Sequence, residues 1–417
     1  MLYEEFFRTF KSRFCIQMII LLVFMHAATA GGQHATGRYD ADGMIRLDGK
    51  RTFVLGLYQK PGGKDAYSAL ARQGFNLVSL PADISMLDSA KAAGLRVWIT
   101  LGTLDTTQRA KSWAPIRQKI EQLKSNPALL AWEIADEPSF SWNSNQLRIV
   151  PELMKETYDS IRKADKAHPI YLNHAPVNLV ETLKRYNDSN DLTACDIYPV
   201  IPPGIKPMYA LNSDGFQGDL SNTTLSQVGD YVDKMRKVCG PNRPLLMVLQ
   251  GFAWEMLRPE AERDISKIRY PTFRESWFMA WDAILHGSNG LIWWGTAYVP
   301  DNHPFLHDLT KVVTNLSSVK EILTLPDLSS PLRITYREMG HSINKGIEVK
   351  IKKEKDAIWI LTANTERYAV RAELHTQFSA EAAEVLFENR RIAIHQATIA
   401  EDYQPYEVHL YKLTPKL

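Results

Sequence analysis

Between about residue 52 and residue 325 the chain repeats one rhythm, a short β-forming run followed by an amphipathic helical segment, and it does so eight times. The β-like runs are FVLGLY (Phe53 to Tyr58), NLVSLP (Asn76 to Pro81), RVWITLG (Arg96 to Gly102), LLAWEIADE (Leu129 to Glu137), IYLNHA (Ile170 to Ala175), TACDIYPV (Thr193 to Val200), LLMVLQGF (Leu245 to Phe252) and LIWWGTAY (Leu291 to Tyr298). Segments such as RQKIEQLKSN, PELMKETYDSIRKA and LSQVGDYVDKMRKV lie between them, with apolar residues at helical spacing and Gly, Asn or Pro at their ends. Eight β/α units in about 270 residues is the count of a (β/α)₈ TIM barrel, expected over residues 40–327. From Pro331 to Leu417 the pattern changes to short alternating runs, among them GIEVKIKK, AIWILTAN and YEVHLYKL, which predict a small antiparallel β-sandwich serving as structural support.

The 417 residues leave ample length for both units, and 45% apolar content is that of a globular chain. Forty-nine basic residues stand against 47 acidic ones, interspersed, so no basic stripe for nucleic acid is expected. Arg8, Lys11 and Arg13 precede the apolar run CIQMIILLVFMHAATA, whose Ala28 and Ala30 have the spacing of a signal-peptidase site. Residues 1–30 are therefore expected to be a signal peptide, giving a secreted, periplasmic or extracellular protein with no stable membrane insertion after cleavage. Cys195 and Cys239 remain in the mature chain and lie at opposite ends of the expected barrel, so no disulfide is expected. No histidine pair has convincing metal-ligand spacing, and no cofactor motif is present. The sequence carries no signal for an oligomeric state.

In a barrel of this kind the chemistry gathers at the C-terminal ends of the strands. In chain order those ends supply Tyr58 and Gln59, then Asp136 and Glu137, Asn173 and His174, Asp196 and Tyr198, Gln250, and Trp293 and Trp294. Adjacent carboxylates such as Asp136 and Glu137 repel each other, so one holds its proton longer, as a general acid must. Acids, amides and aromatic faces together are what a sugar site needs: carboxylates for proton transfer, polar groups for hydroxyls, and rings for the apolar side of a pyranose. Carbohydrate is thus the expected partner. Ordinary structural readings stand beside these for several residues. Glu255 fits a helix start, Asp196 a structural acid and His174 a satisfied rim histidine, while Trp293 and Trp294 must face opposite sides of the sheet.

The combination of FVLGLY, GLRVWITLG, NPALLAWEIADEP and GSNGLIWWGTAY resembles the clan A glycoside hydrolases, whose fourth strand ends in Asn-Glu-Pro or a similar triplet. The resemblance spans nearly all of Arg51 to Leu325 and is specific in the strand 4 block. It implies that Glu137 is the general acid/base and places Asp136 where the clan has the Asn that contacts the sugar 2-hydroxyl. The clan's nucleophilic Glu at the end of strand 7 is matched by Gln250, an amide that cannot attack an anomeric carbon. Three replacements stay open: Glu255 as nucleophile, Asp136 or Asp196 as the base for a water, or attack by an N-acetyl group of the substrate oriented by Asp136 and Tyr198. A fourth reading is a non-catalytic carbohydrate-binding barrel. For a glycosidase, Glu137 and either Asp196 or Glu255 are expected about 5 to 5.5 Å apart if retaining, or about 6.5 to 9.5 Å if inverting. Tyr58, Gln59, Asn173, His174, Tyr198, Gln250, Trp293 and Trp294 are the expected substrate-binding set, with Gln250 a substrate-binding amide.

Overall fold

The computed structural model describes residues 38–414 apart from 60–61, 63–64, 142–143, 145, 205–217, 331 and 338–345, so the signal peptide expected over residues 1–30 lies outside the described residues. Eight parallel strands close into a barrel: β1 (Val54–Leu57), β2 (Leu77–Ser79), β3 (Arg96–Thr100), β4 (Leu129–Glu133), β5 (Ile170–His174), β6 (Leu192–Ile197), β7 (Leu245–Gln250) and β8 (Gly290–Trp294). Each strand pairs with the next, and β8 closes on β1 with Gly290 opposite Val54 and Trp293 opposite Leu57. These strands read as nearly continuous apolar runs because both faces are covered. One face points into the barrel, where Val54, Leu77, Trp98, Ala131, Tyr171, Ala194, Val248 and Ile292 supply one buried side chain per strand. The alternate residues, such as Leu55, Ile99, Trp132, Leu172, Cys195, Met247 and Trp293, pack outward against the helices.

Those helices are α1 (Ala66–Gln73), α2 (Ile84–Ala92), α3 (Arg109–Leu123), α4 (Pro151–Ala164), α5 (Val180–Lys184), α6 (Gln227–Cys239), α7 (Phe273–Leu285) and α8 (Pro304–Ser318), followed by the single turn α9 (Lys320–Leu323). Their starts follow from local chemistry. Asp83 accepts hydrogen bonds from the Ser85 and Met86 amides ahead of α2, and Thr272 with Glu275 forms a reciprocal capping box at α7. None of the described helices is long and apolar enough to cross a membrane.

The C-terminal strands are β9 (Arg333–Tyr336), β10 (Ile347–Glu354), β11 (Ala357–Asn364), β12 (Val370–His375), β13 (Ala382–Val385), β14 (Arg390–Ala393), β15 (Thr398–Tyr403) and β16 (Val408–Leu413). They form a three-stranded sheet, β9-β12-β15, and a five-stranded sheet, β10-β11-β16-β13-β14. Period-two alternation lets β11 serve two cores at once. Ile358 and Ile360 fill the sandwich, whereas Trp359, Leu361 and Ala363 on the opposite face join the apolar layer around α7. Phe278 of α7 meets Tyr406 with ring centroids 4.8 Å apart. The sandwich is thereby built onto the helix layer.

Candidate active site

Strand parity selects the cluster at the C-terminal mouth of the barrel. On β5 the inward face carries Tyr171 and Asn173; on β6 it carries Asp196 and then Tyr198; beyond β1 it carries Tyr58. Strand β4 ends at Glu133, earlier than the sequence pattern implied, and Asp136 and Glu137 lie on the loop that follows. Glu137 takes a positive φ of 40°, a left-handed conformation that a non-glycine residue adopts at a cost of roughly 1–3 kcal/mol. Its N–H donates to the Asn173 carbonyl at 3.0 Å, which ties the bend to β5.

The Asn173 amide joins the acids. Its Nδ2 donates to Asp136 Oδ1 at 3.0 Å and to Asp196 Oδ1 at 3.2 Å. The Glu137 and Asp196 carboxyls share a side-chain hydrogen bond that favours the proton on Glu137 and the charge on Asp196. Burial, and then repulsion from Asp196 and Asp136, hold the Glu137 proton well above the usual carboxylate range. Asp196 is pushed up to about 7 by burial and by Asp136, against the hydrogen bonds from Glu137 and Asn173. Asp136 opens into the cavity, yet the protein around it depletes solvent and raises its pKa, opposed by the Asn173 hydrogen bond and the field of exposed Arg148.

One level deeper in the barrel sits Glu133, only 2% exposed, accepting from Thr100 Oγ1 at 2.5 Å. Burial together with Asp136 pushes it up to about 8, against hydrogen bonds from Thr100 and Trp98. The hydroxyls of Tyr58 and Tyr171 lie 3.0 Å apart, and burial holds both phenols protonated.

These groups open into a cavity of about 340 Å³. Tyr58, Asp136, Glu137, Asn173, Asp196, Tyr198 and Trp294 line it, all expected from the strand ends. Phe140, Ala175, Pro176, Phe252, Trp254, Leu257 and Tyr298 complete its wall. The rings pack on one another: Tyr198 stacks on Trp294 at 5.6 Å, and Phe252 meets Tyr198, Trp294 and Trp254 at 5.0, 5.0 and 5.3 Å. Acids therefore occupy the arc from β4 to β6, and apolar rings the arc from β7 to β8. Among the described residues no group of three or more His, Cys, Asp or Glu side chains could hold a metal ion.

No family model matches the sequence, and no curated protein does either. Solved structures do match. An α-amylase from Geobacillus thermoleovorans complexed with acarbose is 8% identical, with a TM-score of 0.55 over 88% of this chain and 100% of that one. A catalytic mutant of a GH42 β-galactosidase from G. stearothermophilus is 9% identical, with a TM-score of 0.54 over 87% of this chain and 98% of its own. A mutant of the glycoside hydrolase family 5 mannosidase from Rhizomucor miehei is 14% identical, with a TM-score of 0.50 over 69% of this chain and 99% of that one. The fold is clan A glycoside hydrolase-like.

Against that clan A-like frame, five expected site residues fall outside the cavity wall. Gln250 has the inward parity, but its amide is consumed by backbone: Oε1 accepts from the Val200 N–H at 2.9 Å, and Nε2 donates to the Val200 and Phe252 carbonyls at 3.1 Å. Fully buried, it holds the β6 and β7 ends together in place of the expected substrate-binding amide. Glu255, 1% exposed, accepts from the Asp264 N–H at 2.7 Å and lies 3.5 Å from Arg258, so it fastens its own loop. His174 and Trp293 have the outward parity. The first is buried beside Tyr186 and pushed down to about 3 by burial, hence neutral; the second packs edge-on against Phe75 at 6.0 Å. Gln59 accepts from the Gly295 N–H at 3.0 Å and lines a separate cavity of about 350 Å³ between β1, α1 and α8.

Proposed function

We propose that this protein is a glycoside hydrolase acting on O-glycosidic bonds of an oligo- or polysaccharide, with Glu137 as general acid/base, and that its leader directs it out of the cytoplasm. The observation that carries this reading is the crowding of Asp136, Glu137 and Asp196 on one side of a cavity walled by aromatic rings, which raises Glu137 well above the usual carboxylate range. A carboxyl that holds its proton above the usual range is what cleavage of an acetal with a poor leaving group requires. In the first step Glu137 gives its proton to the glycosidic oxygen as the bond to the anomeric carbon breaks. In the second, ionised Glu137 takes a proton from the attacking water. Asp196 orients Glu137 in both. Asp136 and Asn173 offer polar contacts to hydroxyls, and Trp254 and Trp294 offer faces to the apolar side of a sugar ring.

The test is Glu137→Gln assayed on a panel of aryl glycosides and natural oligosaccharides. Turnover on substrates with poor leaving groups should fall by a factor on the order of 10² to 10⁴, with sugar binding unchanged by calorimetry; undiminished turnover removes Glu137 from the mechanism. A second reading, a carbohydrate-binding barrel without catalysis, is favoured by the strand 7 arc, where Gln250 is spent on backbone and no described acid faces the Glu137–Asp196 pair. It requires sugar binding with no reducing sugar released from any member of the panel.

A further inference from the structure

Among the described residues the cavity holds the proposed proton donor, Glu137, and no acid on the side facing it. In a double-displacement or inverting reaction two carboxyl groups flank the anomeric carbon, about 5 to 9.5 Å apart. Here the three cavity-lining carboxyls crowd the same arc, with the Asn173 amide bonding both Asp136 and Asp196, so none of them stands across the cavity from another. The facing arc offers Phe252, Trp254, Leu257, Trp294 and Tyr298. The two other candidates on that side, Gln250 and Glu255, are committed to backbone groups outside the cavity wall.

We infer that the substrate brings its own nucleophile: a hexopyranoside with a 2-acetamido group beside the scissile bond, whose amide N–H is accepted by Asp196 and whose methyl lies against Tyr198, Phe252 and Trp254. This rests on the hydrolase reading with Glu137 as acid. Asp196 is suited to the task because it is 3% exposed, lines the cavity and favours the charged form within its bond to Glu137. A carboxylate beside an amide N–H raises the electron density on the amide oxygen. Tyr198 lies two residues further along the same inward face, roughly 6.6 Å on at strand spacing, and begins the apolar wall. That places an acid next to an apolar surface, matching an amide next to a methyl.

The reaction balances without a co-reactant. The acetamido oxygen attacks the anomeric carbon from the face opposite the leaving group, the glycosidic C–O bond breaks, and Glu137 delivers its proton to the departing oxygen. The resulting cyclic oxazolinium keeps its N–H on Asp196. Water then adds to the anomeric carbon, the ring C–O bond returns its electron pair to the acetamide, and Glu137 takes back a proton. The product has the configuration of the starting glycoside.

The experiment compares matched aryl hexopyranosides carrying a 2-acetamido group or a 2-hydroxyl, and a series with mono-, di- and trifluoroacetamido groups. The expected result is hydrolysis of the acetamido substrates with kcat/KM higher by a factor on the order of 10² or more, falling steeply with each fluorine because the amide oxygen becomes a poorer nucleophile. Asp196→Asn should lower turnover of the acetamido substrate, and the fluorinated series on the unaltered protein carries the test even if that variant misfolds. Hydrolysis of the 2-hydroxyl substrates at equal or greater rate, abolished by Glu137→Gln, overturns this inference and leaves the hydrolase reading standing. So does an acetamido rate indifferent to fluorine. If no substrate of either panel is hydrolysed, both fall.

Discussion

The barrel mouth and the sandwich each bury a cluster of ionisable groups, and they neutralise it by different means. In the sandwich, Glu388 accepts from His409 Nδ1 and lies 2.7 Å from Arg390, which also reaches Glu401 at 2.8 Å; the Tyr411 hydroxyl completes Glu401, and Tyr403 bridges Tyr411 to Thr362. Burial disfavours the charges there, but the ion pairs win: Glu388 is held below the usual carboxylate range and His409 is raised to about 9. In the barrel, exposed Arg148 lowers only Asp136 and Glu137, and Glu133, Asp136, Glu137 and Asp196 are all raised. Protons do there what Arg390 and His409 do in the sandwich. Compensated charge holds structure together, whereas charge balanced by removable protons is ready for chemistry.

The first way to break this contrast is to remove a cation from the sandwich. His409→Leu leaves Glu388 and Glu407 short of a partner and should cost about 2 to 3 kcal/mol, less than a fully buried pair because Glu388 is 28% exposed, with activity unchanged. A raised histidine stabilises the fold fully below its unfolded value of about 6.5, and the contribution is lost as pH rises through about 9. The deficit in thermal melts should therefore be largest below pH 6.5 and close toward pH 9. A deficit equal at both pH values would mean that packing, not charge, is what His409 contributes.

The same operation on the barrel should have the opposite sign. Native Glu133 keeps its proton to about 8 while the unfolded chain releases it near 4.5, so the native state binds more protons and loses stability as pH rises between those values. Glu133→Gln removes that penalty. Its Tm relative to wild type should climb by a few degrees, on the order of 2–5 °C, from pH 4 to pH 8. A difference that stays flat with pH would place the Glu133 titration outside this window.

The smallest effect belongs to Arg148, whose field lowers Asp136 and Glu137. Arg148→Gln should let Glu137 hold its proton longer and move the alkaline limb of kcat/KM upward by roughly a few tenths of a pH unit at low salt, vanishing at high salt. A shift downward, or one that salt does not touch, would remove Arg148 from the site's electrostatics.

The barrel was legible because strands buried on both faces leave continuous apolar runs; six strands lie within the segments the pattern marks, and β6 and β8 each begin one residue earlier. Parity was also legible in principle. Of Asn173 and His174, or Trp293 and Trp294, only one member faces in, and Trp98, Tyr171 and Tyr198 on neighbouring strands share the inward class. Glu133 was missed although LLAWEIA shows it as a lone acid in an apolar strand, a costly placement and hence a signal. Gln250 shows the limit of that logic: a polar residue in an apolar run needs a partner, and sequence does not say whether the partner is a ligand or the Val200 backbone. Phe140, Phe252, Trp254, Leu257 and Tyr298 come from loops and strand ends whose approach depends on barrel closure, which no local pattern encodes.

The claim on which the barrel half of the contrast depends is that Glu137 is protonated at neutral pH. Infrared difference spectroscopy of wild type against Glu137→Gln, in H₂O and D₂O across the pH range, reads that proton directly. A protonated-carboxyl C=O band at pH 7, shifted by deuteration and absent from the variant, is the predicted result. If the difference at pH 7 instead shows only an ionised carboxylate, with the C=O band appearing near 4.5 as in a free glutamic acid, the barrel cluster does not hold its protons and the account fails.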